Sequence, residues 1–129
     1  MSWGKFYGIG VGPGDPELLT LKAKRILEQT ELLFVPKSRL EKRSVALSIV
    51  GQAIDKQWRT VDLLMPMIDD EKLLNQHWRE AAQAIMQHLS KGIDGAFITL
   101  GDPTLYSTFT YLLKQLKELA PEIKVEIVP

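Results

Sequence analysis

The amino-acid sequence predicts an α/β fold: a five-stranded, mostly parallel sheet with helices on both faces. Three observations predict it. Short apolar runs alternate along the chain with longer segments of helical period. Those short runs are near-continuously apolar, as strands joined by helical crossovers must be, because both faces of such a sheet are covered. The chain has 129 residues, 45% hydrophobic and 25% charged, which is one ordinary domain with enough apolar material for a core.

Phe6 to Val11 reads as the first strand. Pro16 to Gln29 reads as a helix, with Leu18, Leu21, Lys22, Arg25 and Glu28 dividing into an apolar and a polar face. Glu31 to Val35 is a short apolar strand stopped by Pro36, and Ser44 to Ile54 is helical. Thr60 to Leu64 is a third strand, ended by Pro66. Asp69 or Asp70 caps a long helix that runs to Leu89. Ala96 to Leu100 is the fourth strand, Leu105 to Leu119 a helix closed by Pro121, and Lys124 to Val128 the fifth strand. The chain stops at the carboxyl end of that strand, where a loop would complete a ligand crevice. It is therefore expected to be one domain of a longer protein.

Composition excludes several classes of function. Lys plus Arg and Asp plus Glu number 16 each, so no bulk charge is available to grip nucleic acid. With no cysteine there is neither a disulfide framework nor a thiolate metal site. No apolar run approaches the roughly 20 residues of a membrane span. The start, Met1 to Lys5, lacks the apolar stretch of a signal peptide. A cytoplasmic protein with neither a nucleic-acid nor a membrane partner is the expectation.

The chemistry is expected at a doubled tripeptide. Gly14-Asp15-Pro16 follows the first strand and Gly101-Asp102-Pro103 the fourth. Each stands between an apolar run and a helix. Two strand-to-helix turns of one design suggest two lips of a crevice at the carboxyl ends of the strands, where open α/β sheets bind ligands. The alternating Gly8, Gly10, Gly12 and Gly14 permit close backbone approach. They do not make the dinucleotide fingerprint G-x-G-x-x-G, whose last position is Pro13 counted from Gly8 and Asp15 counted from Gly10. They do not make a P-loop either, because Asp15 and Pro16 follow where lysine and a hydroxyl residue belong. Asp15 is an N-cap, a ligand contact, or both. Asp102 caps the next helix or accepts hydrogen bonds from a ligand, and Tyr106 suits a pocket wall.

Other residues carry weaker signals. His77 and His88 share a helix face but stand about 16 Å apart, too far to share a metal. Both are expected to be surface or half-buried histidines. Lys37, Arg39, Lys42 and Arg43 cluster after the second strand, at the same edge as the two turns. They form a solvated loop or a grip on a polycarboxylate substrate. No metal site, nucleophile elbow or Ser-His-Asp set is visible.

The run Phe6-Tyr7-Gly8-Ile9-Gly10-Val11-Gly12-Pro13-Gly14-Asp15-Pro16-Glu17-Leu18-Leu19-Thr20-Leu21-Lys22-Ala23 resembles the opening signature of the tetrapyrrole methylases. Gly101-Asp102-Pro103-Thr104-Leu105-Tyr106-Ser107 resembles their second signature. These are S-adenosylmethionine-dependent enzymes of corrin and siroheme synthesis. Within the family, Val35-Pro36-Lys37-Ser38, Ala46 to Val50, and Ile98 to Asp102 through Tyr111 to Leu113 are similar to the members that methylate precorrin-2 or cobalt-precorrin-2 at C(20). The resemblance covers the whole chain but only the first of the family's two α/β domains, between which the cofactor binds.

The resemblance implies S-adenosyl-L-methionine as cofactor, with S-adenosyl-L-homocysteine as product, and a polycarboxylate tetrapyrrole as substrate. It implies cofactor contacts at Pro13, Leu100, Gly101, Asp102 and Leu105, with Tyr106, Ser107 and Thr108 as neighbours. Gly12, Gly14 and Asp15 would face the tetrapyrrole, with Lys37, Arg39, Lys42 and Arg43 holding its carboxylates. Asp15 is the candidate proton acceptor. Uroporphyrinogen methyltransferases carry Tyr-Asp-Arg after the second strand, where this sequence reads Val35-Pro36-Lys37, which removes a base from that position. The family's commonly dimeric state implies a homodimer of the full-length protein. The fragment alone is expected to be inactive. The alternatives are a precorrin-4 or uroporphyrinogen methylase, or an isolated ligand-binding domain without catalysis.

Overall fold

The protein is described by a computed structural model, which covers residues 3–11, 16–37, 44–66, 68–99 and 107–128. Five strands form one sheet: β1 (Phe6–Gly10), β2 (Leu32–Lys37), β3 (Arg59–Leu64), β4 (Gly95–Thr99) and β5 (Val125–Val128). Four helices connect them in turn: α1 (Leu21–Gln29), α2 (Val45–Ala53), α3 (Glu71–Leu89) and α4 (Ser107–Leu119). The strand order is β3-β2-β4-β1-β5, and every pairing is parallel. The expected α/β class and strand count are therefore observed, with parallel pairing throughout.

The order carries a change of direction. From β1 the chain steps outward through α1 to β2 and through α2 to β3. It then returns through α3 to β4 and passes through α4 to β5. Parallel crossovers share one hand, so opposite travel places the two helix pairs on opposite faces. The core is split accordingly. Phe6, Leu32, Phe34 and Phe97 face Ala82, Ile85 and Leu89 of α3 and Phe109, Leu112 and Leu116 of α4. Ile9, Leu33, Val35, Ala96 and Ile98 face Ile26 and Leu27 of α1 and Ile49 and Val50 of α2. Alternate residues of each strand thus supply different cores, which is why the strands read as continuously apolar.

Three sequence expectations need correction. The helix expected over Pro16 to Gln29 is broken: a 3-10 turn over Pro16–Leu18 precedes α1, which starts at Leu21. The α1 N-cap is Thr20, whose Oγ1 accepts the Ala23 N–H at 3.1 Å, and the capping role expected of Asp15 lies outside the described residues. The strand expected to stop before Pro36 runs through it to Lys37. Lys37 accepts the Met65 N–H at 2.8 Å, so its backbone groups point toward β3. Those of Pro36 consequently point toward β4, where pairing with β2 has already ended at Phe34↔Phe97. The donor that proline lacks falls on the side where none is needed. The strand expected at Ala96 to Leu100 begins one residue earlier, at Gly95, and is described to Thr99, with Leu100 outside the described residues.

Of the two caps expected for α3, Asp70 is the one observed, and Ser44, expected inside its helix, is the N-cap of α2. Ser44 Oγ accepts from Leu47 N–H at 3.1 Å, and Asp70 Oδ1 from Lys72 and Leu73 N–H at 3.0 and 3.2 Å. The carboxyl end of α1 has no glycine, and its orphan carbonyls are closed by side chains instead. Thr30 Oγ1 donates to Ile26 O at 2.7 Å, Trp58 Nε1 to Leu27 O at 2.9 Å and Lys56 Nζ to Glu28 O at 2.6 Å. Two of these donors come from the connection into β3, so the end of α1 and that connection hold each other.

Candidate functional site at the carboxyl edge of β1 and β4

The two Gly-Asp-Pro segments, 87 residues apart in sequence, grow from neighbouring strands. β1 pairs with β4 in the register Ile9↔Ile98 and Gly10↔Thr99, and Val11 N–H donates to Thr99 O at 2.9 Å. Chain continuity puts Gly12 after Val11 and Leu100 after Thr99, so both segments start from one spot on the sheet edge. From there β1 hands its chain to the α1 face and β4 to the α4 face. Adjacent strands whose connections part to opposite faces open a crevice at their carboxyl ends, the usual ligand position in such sheets.

Around this spot the strand ends are Ile9, Val11, Ile98 and Thr99, all buried. β5 lies on the far side of β1, with Ile9↔Val128, and β2 beyond β4 ends in Lys37. Gly12, Pro13, Gly14, Asp15, Arg39, Lys42, Arg43, Leu100, Gly101, Asp102, Leu105 and Tyr106 lie outside the described residues. Ser107 and Thr108 are the first two residues of α4.

Lys37 is described, and it has a partner that sequence reasoning missed. Its Nζ meets Asp62 Oδ2 at 3.1 Å, across to β3. The Lys37 side chain is 16% exposed and that of Asp62 38%. The signal in the sequence was a lone acidic residue inside the strand Thr60-Val61-Asp62-Leu63-Leu64. The two histidines serve packing and surface roles. Both are half-buried, His88 Nδ1 lies 2.8 Å from Ala84 O, and its ring sits edge-on to Phe34.

Of the glycine series, Gly8 has a packing role. A Cβ at Gly8 would lie 2.4 Å from Phe109 Cζ, so this glycine admits a helix side chain to the sheet rather than a ligand. Among the described residues, the strong electrostatic perturbation lies on the flank of the sheet. Glu126 of β5 is held down to about 2 by hydrogen bonds from Lys5 and Lys22, at 2.6 and 2.9 Å. Lys5 is raised in turn, chiefly by its bond to Glu126.

Comparison with known proteins agrees with this geometry. A family model described as Tetrapyrrole (Corrin/Porphyrin) Methylases matches residues 5–129. A Methanocaldococcus jannaschii protein named "Probable cobalt-precorrin-2 C(20)-methyltransferase" is 43% identical over 123 residues, covering 94% of this chain and 51% of that protein. The Salmonella typhimurium cobalt-precorrin-2 C(20)-methyltransferase is 38% identical over 126 residues, covering 98% of this chain and 52% of its own length. The chain thus spans about half the length of the curated relatives it matches. A Thermus thermophilus uroporphyrin-III C-methyltransferase, solved with S-adenosylhomocysteine, superposes with a TM-score of 0.66 at 25% identity, covering 98% of this chain and 44% of that one.

Proposed function

This chain belongs to the tetrapyrrole (corrin/porphyrin) methylases, and on that premise we propose that it serves methyl transfer from S-adenosyl-L-methionine to C(20) of precorrin-2 or cobalt-precorrin-2. The observation that carries the reading is the shared root of the two Gly-Asp-Pro segments at Gly10↔Thr99, at the switch between crossover directions. The substrate assignment is supported by the similarity to two proteins named for cobalt-precorrin-2. Residues 1–129 are proposed to be the N-terminal domain and one wall of the cofactor cleft, with a second domain supplying the other. The reading also includes a homodimer of the whole protein, in the cytoplasm.

The described residues fit the cofactor. At the strand ends Ile9, Val11 and Ile98 are apolar, and no charged side chain of β1 or β4 stands among them. The Val11 N–H is already donated to Thr99. Such a surface suits an adenosine better than a pyrophosphate, which needs cations or free amides. Pro13, Leu100, Gly101, Asp102 and Leu105 are proposed to hold the cofactor, with Tyr106, Ser107 and Thr108 beside them. When bound, the cofactor supplies a methyl group already activated by a positive sulfur.

The protein's own task is then mainly alignment, which can remove several kcal/mol of a barrier without titrating groups. Gly12, Gly14 and Asp15 are proposed to face the tetrapyrrole, with Asp15 accepting the proton that leaves C(20). Lys37, Arg39, Lys42 and Arg43 are proposed to bind its carboxylates. Asp62 keeps the Lys37 ammonium in place at the end of β2.

The test is methyl transfer by the product of the natural reading frame. Labelled S-adenosylmethionine is offered with cobalt-precorrin-2, precorrin-2, precorrin-4 or uroporphyrinogen III. The expected product is a precorrin-2 species carrying one new methyl at C(20), assigned by NMR. Transfer to precorrin-4 or uroporphyrinogen in preference would refute the substrate assignment. Tight binding of S-adenosylhomocysteine with no transfer to any substrate would favour a non-catalytic binding domain.

A further inference from the structure

We infer that Gly8 and Phe109 are a matched pair that sets where α4 begins relative to β1, making Phe109 a positioning residue for the proposed cofactor wall. The inference rests on the reading of the carboxyl edge as a cofactor site. A buried mid-strand position ordinarily carries a β-branched or aromatic residue, and glycine there marks close approach by another group. The approaching group is the Phe109 ring. A Cβ built at Gly8 would meet its Cζ at 2.4 Å, its Cε1 at 2.8 Å and its Cε2 at 3.1 Å.

Phe109 is 1% exposed. Its ring stacks on Phe6 of β1 at 6.1 Å and 15°, and tilts against Phe97 of β4 at 5.2 Å and 47°. These two strands are the ones that lead into the two Gly-Asp-Pro segments. The ring therefore ties the start of α4 to both of these strands at once.

Place along the helix is what separates Phe109 from the other core residues of α4. Phe109 is the third residue of the helix, whereas Leu112 and Leu116 lie one and two turns further on. Displacement of a first turn passes directly to the residues bonded ahead of it, here those that end at Tyr106. An added methyl at position 8 must push the ring away before ordinary contact is restored, and the helix start moves with it. Misplacement on the order of 1 Å in a positioning element can cost about a hundredfold in rate.

The test uses the product of the natural reading frame and three variants: Gly8→Ala, Phe109→Leu and the two combined. S-adenosylhomocysteine affinity is read by calorimetry well below each melting temperature, and the Gly101 and Asp102 amide shifts by NMR. Gly8→Ala is expected to weaken binding about tenfold or more and to move both amides. Phe109→Leu weakens it less, and the combined variant returns to within about threefold of wild type, because the methyl now occupies space the ring gave up. Variants that melt earlier yet bind with wild-type affinity and unmoved amides would overturn the inference and assign the pair to core packing alone. If Gly8→Ala does not fold, Phe109→Leu decides by the same two readouts. If the wild type itself binds no S-adenosylhomocysteine, the cofactor reading has failed. The pairing is then judged by the amides alone, and unmoved Gly101 and Asp102 would overturn it.

Discussion

Replacing Gly95 by alanine adds one methyl group, and the structure makes that methyl costly. A Cβ at position 95 would stand 2.4 Å from Phe34 Cε2, 3.2 Å from Cζ and 3.3 Å from Cδ2. Neither side can yield easily. Gly95 is paired with Phe6 on one side and Leu32 on the other, and its N–H donates to Lys5 O at 3.0 Å. The Phe34 ring is fully buried, 6.0 Å from the Phe6 ring and 6.0 Å from the His88 ring. Overpacking of this kind costs about 1–3 kcal/mol. The loss of unfolded-state freedom on Gly→Ala works the other way, by about 0.4–1 kcal/mol. The expected net loss is about 1–2 kcal/mol. Unfolding entropy of about 2.1 cal/mol/K per residue makes that a fall of roughly 4–7 °C in Tm for a chain of this length.

Gly51→Ala is the control. It is the same chemical change, but nothing stands within 4 Å of the new Cβ, on an exposed face of α2. There alanine should gain up to about 1 kcal/mol from helix propensity. Urea unfolding with an unchanged slope measures both effects. The reasoning is refuted if Gly95→Ala is as stable as wild type, or if the two substitutions shift stability in the same direction.

Glu126→Gln tests the Lys5–Glu126–Lys22 cluster. The folded carboxyl is lowered from 4.5 to about 2, so its stabilisation is full above 4.5 and disappears as pH falls toward 2. Denaturant midpoints should show a gap between wild type and variant near neutral pH that closes across this acid window. It should also close at high pH, as Lys5, raised above 10.5, loses its proton. A gap that stays constant with pH would contradict the assignment. Trp58→Phe removes the indole donor from Leu27 O and should cost about 1 kcal/mol, with faster amide exchange at the end of α1. Asp62→Asn should change stability by less than about 1 kcal/mol, because the pair with Lys37 is partly exposed. The same variant should raise KM for the tetrapyrrole and leave that for S-adenosylmethionine unchanged, and equal effects on both would refute a substrate-side role for Lys37.

How much of the molecule was legible in the chain follows from the range of each interaction. The strands and the α3 cap were legible because apolar runs and an aspartate before a helix act over a few residues. The break between the Pro16–Leu18 turn and α1 was not, because Thr20 and Asp15 are both competent caps and local pattern does not choose between them. The continuation of β2 through Pro36 was not, because a proline ends a strand only where its missing donor is needed, and that depends on the neighbour. The role of Gly8 was misread for the same reason: a small residue leaves room, but only packing says what enters it.

The sequence by itself determined the alternation of strands and helices, the doubled Gly-Asp-Pro and the family it marks, since each is written in contiguous residues. Tertiary structure alone decided that β1 and β4 are neighbours with opposite-going connections, that Asp62 holds Lys37 and that Phe109 rests on Gly8. Those are contacts between residues 25 to 101 positions apart. Such contacts form only when the two helix pairs cover opposite faces of one sheet, a condition no local run of residues states.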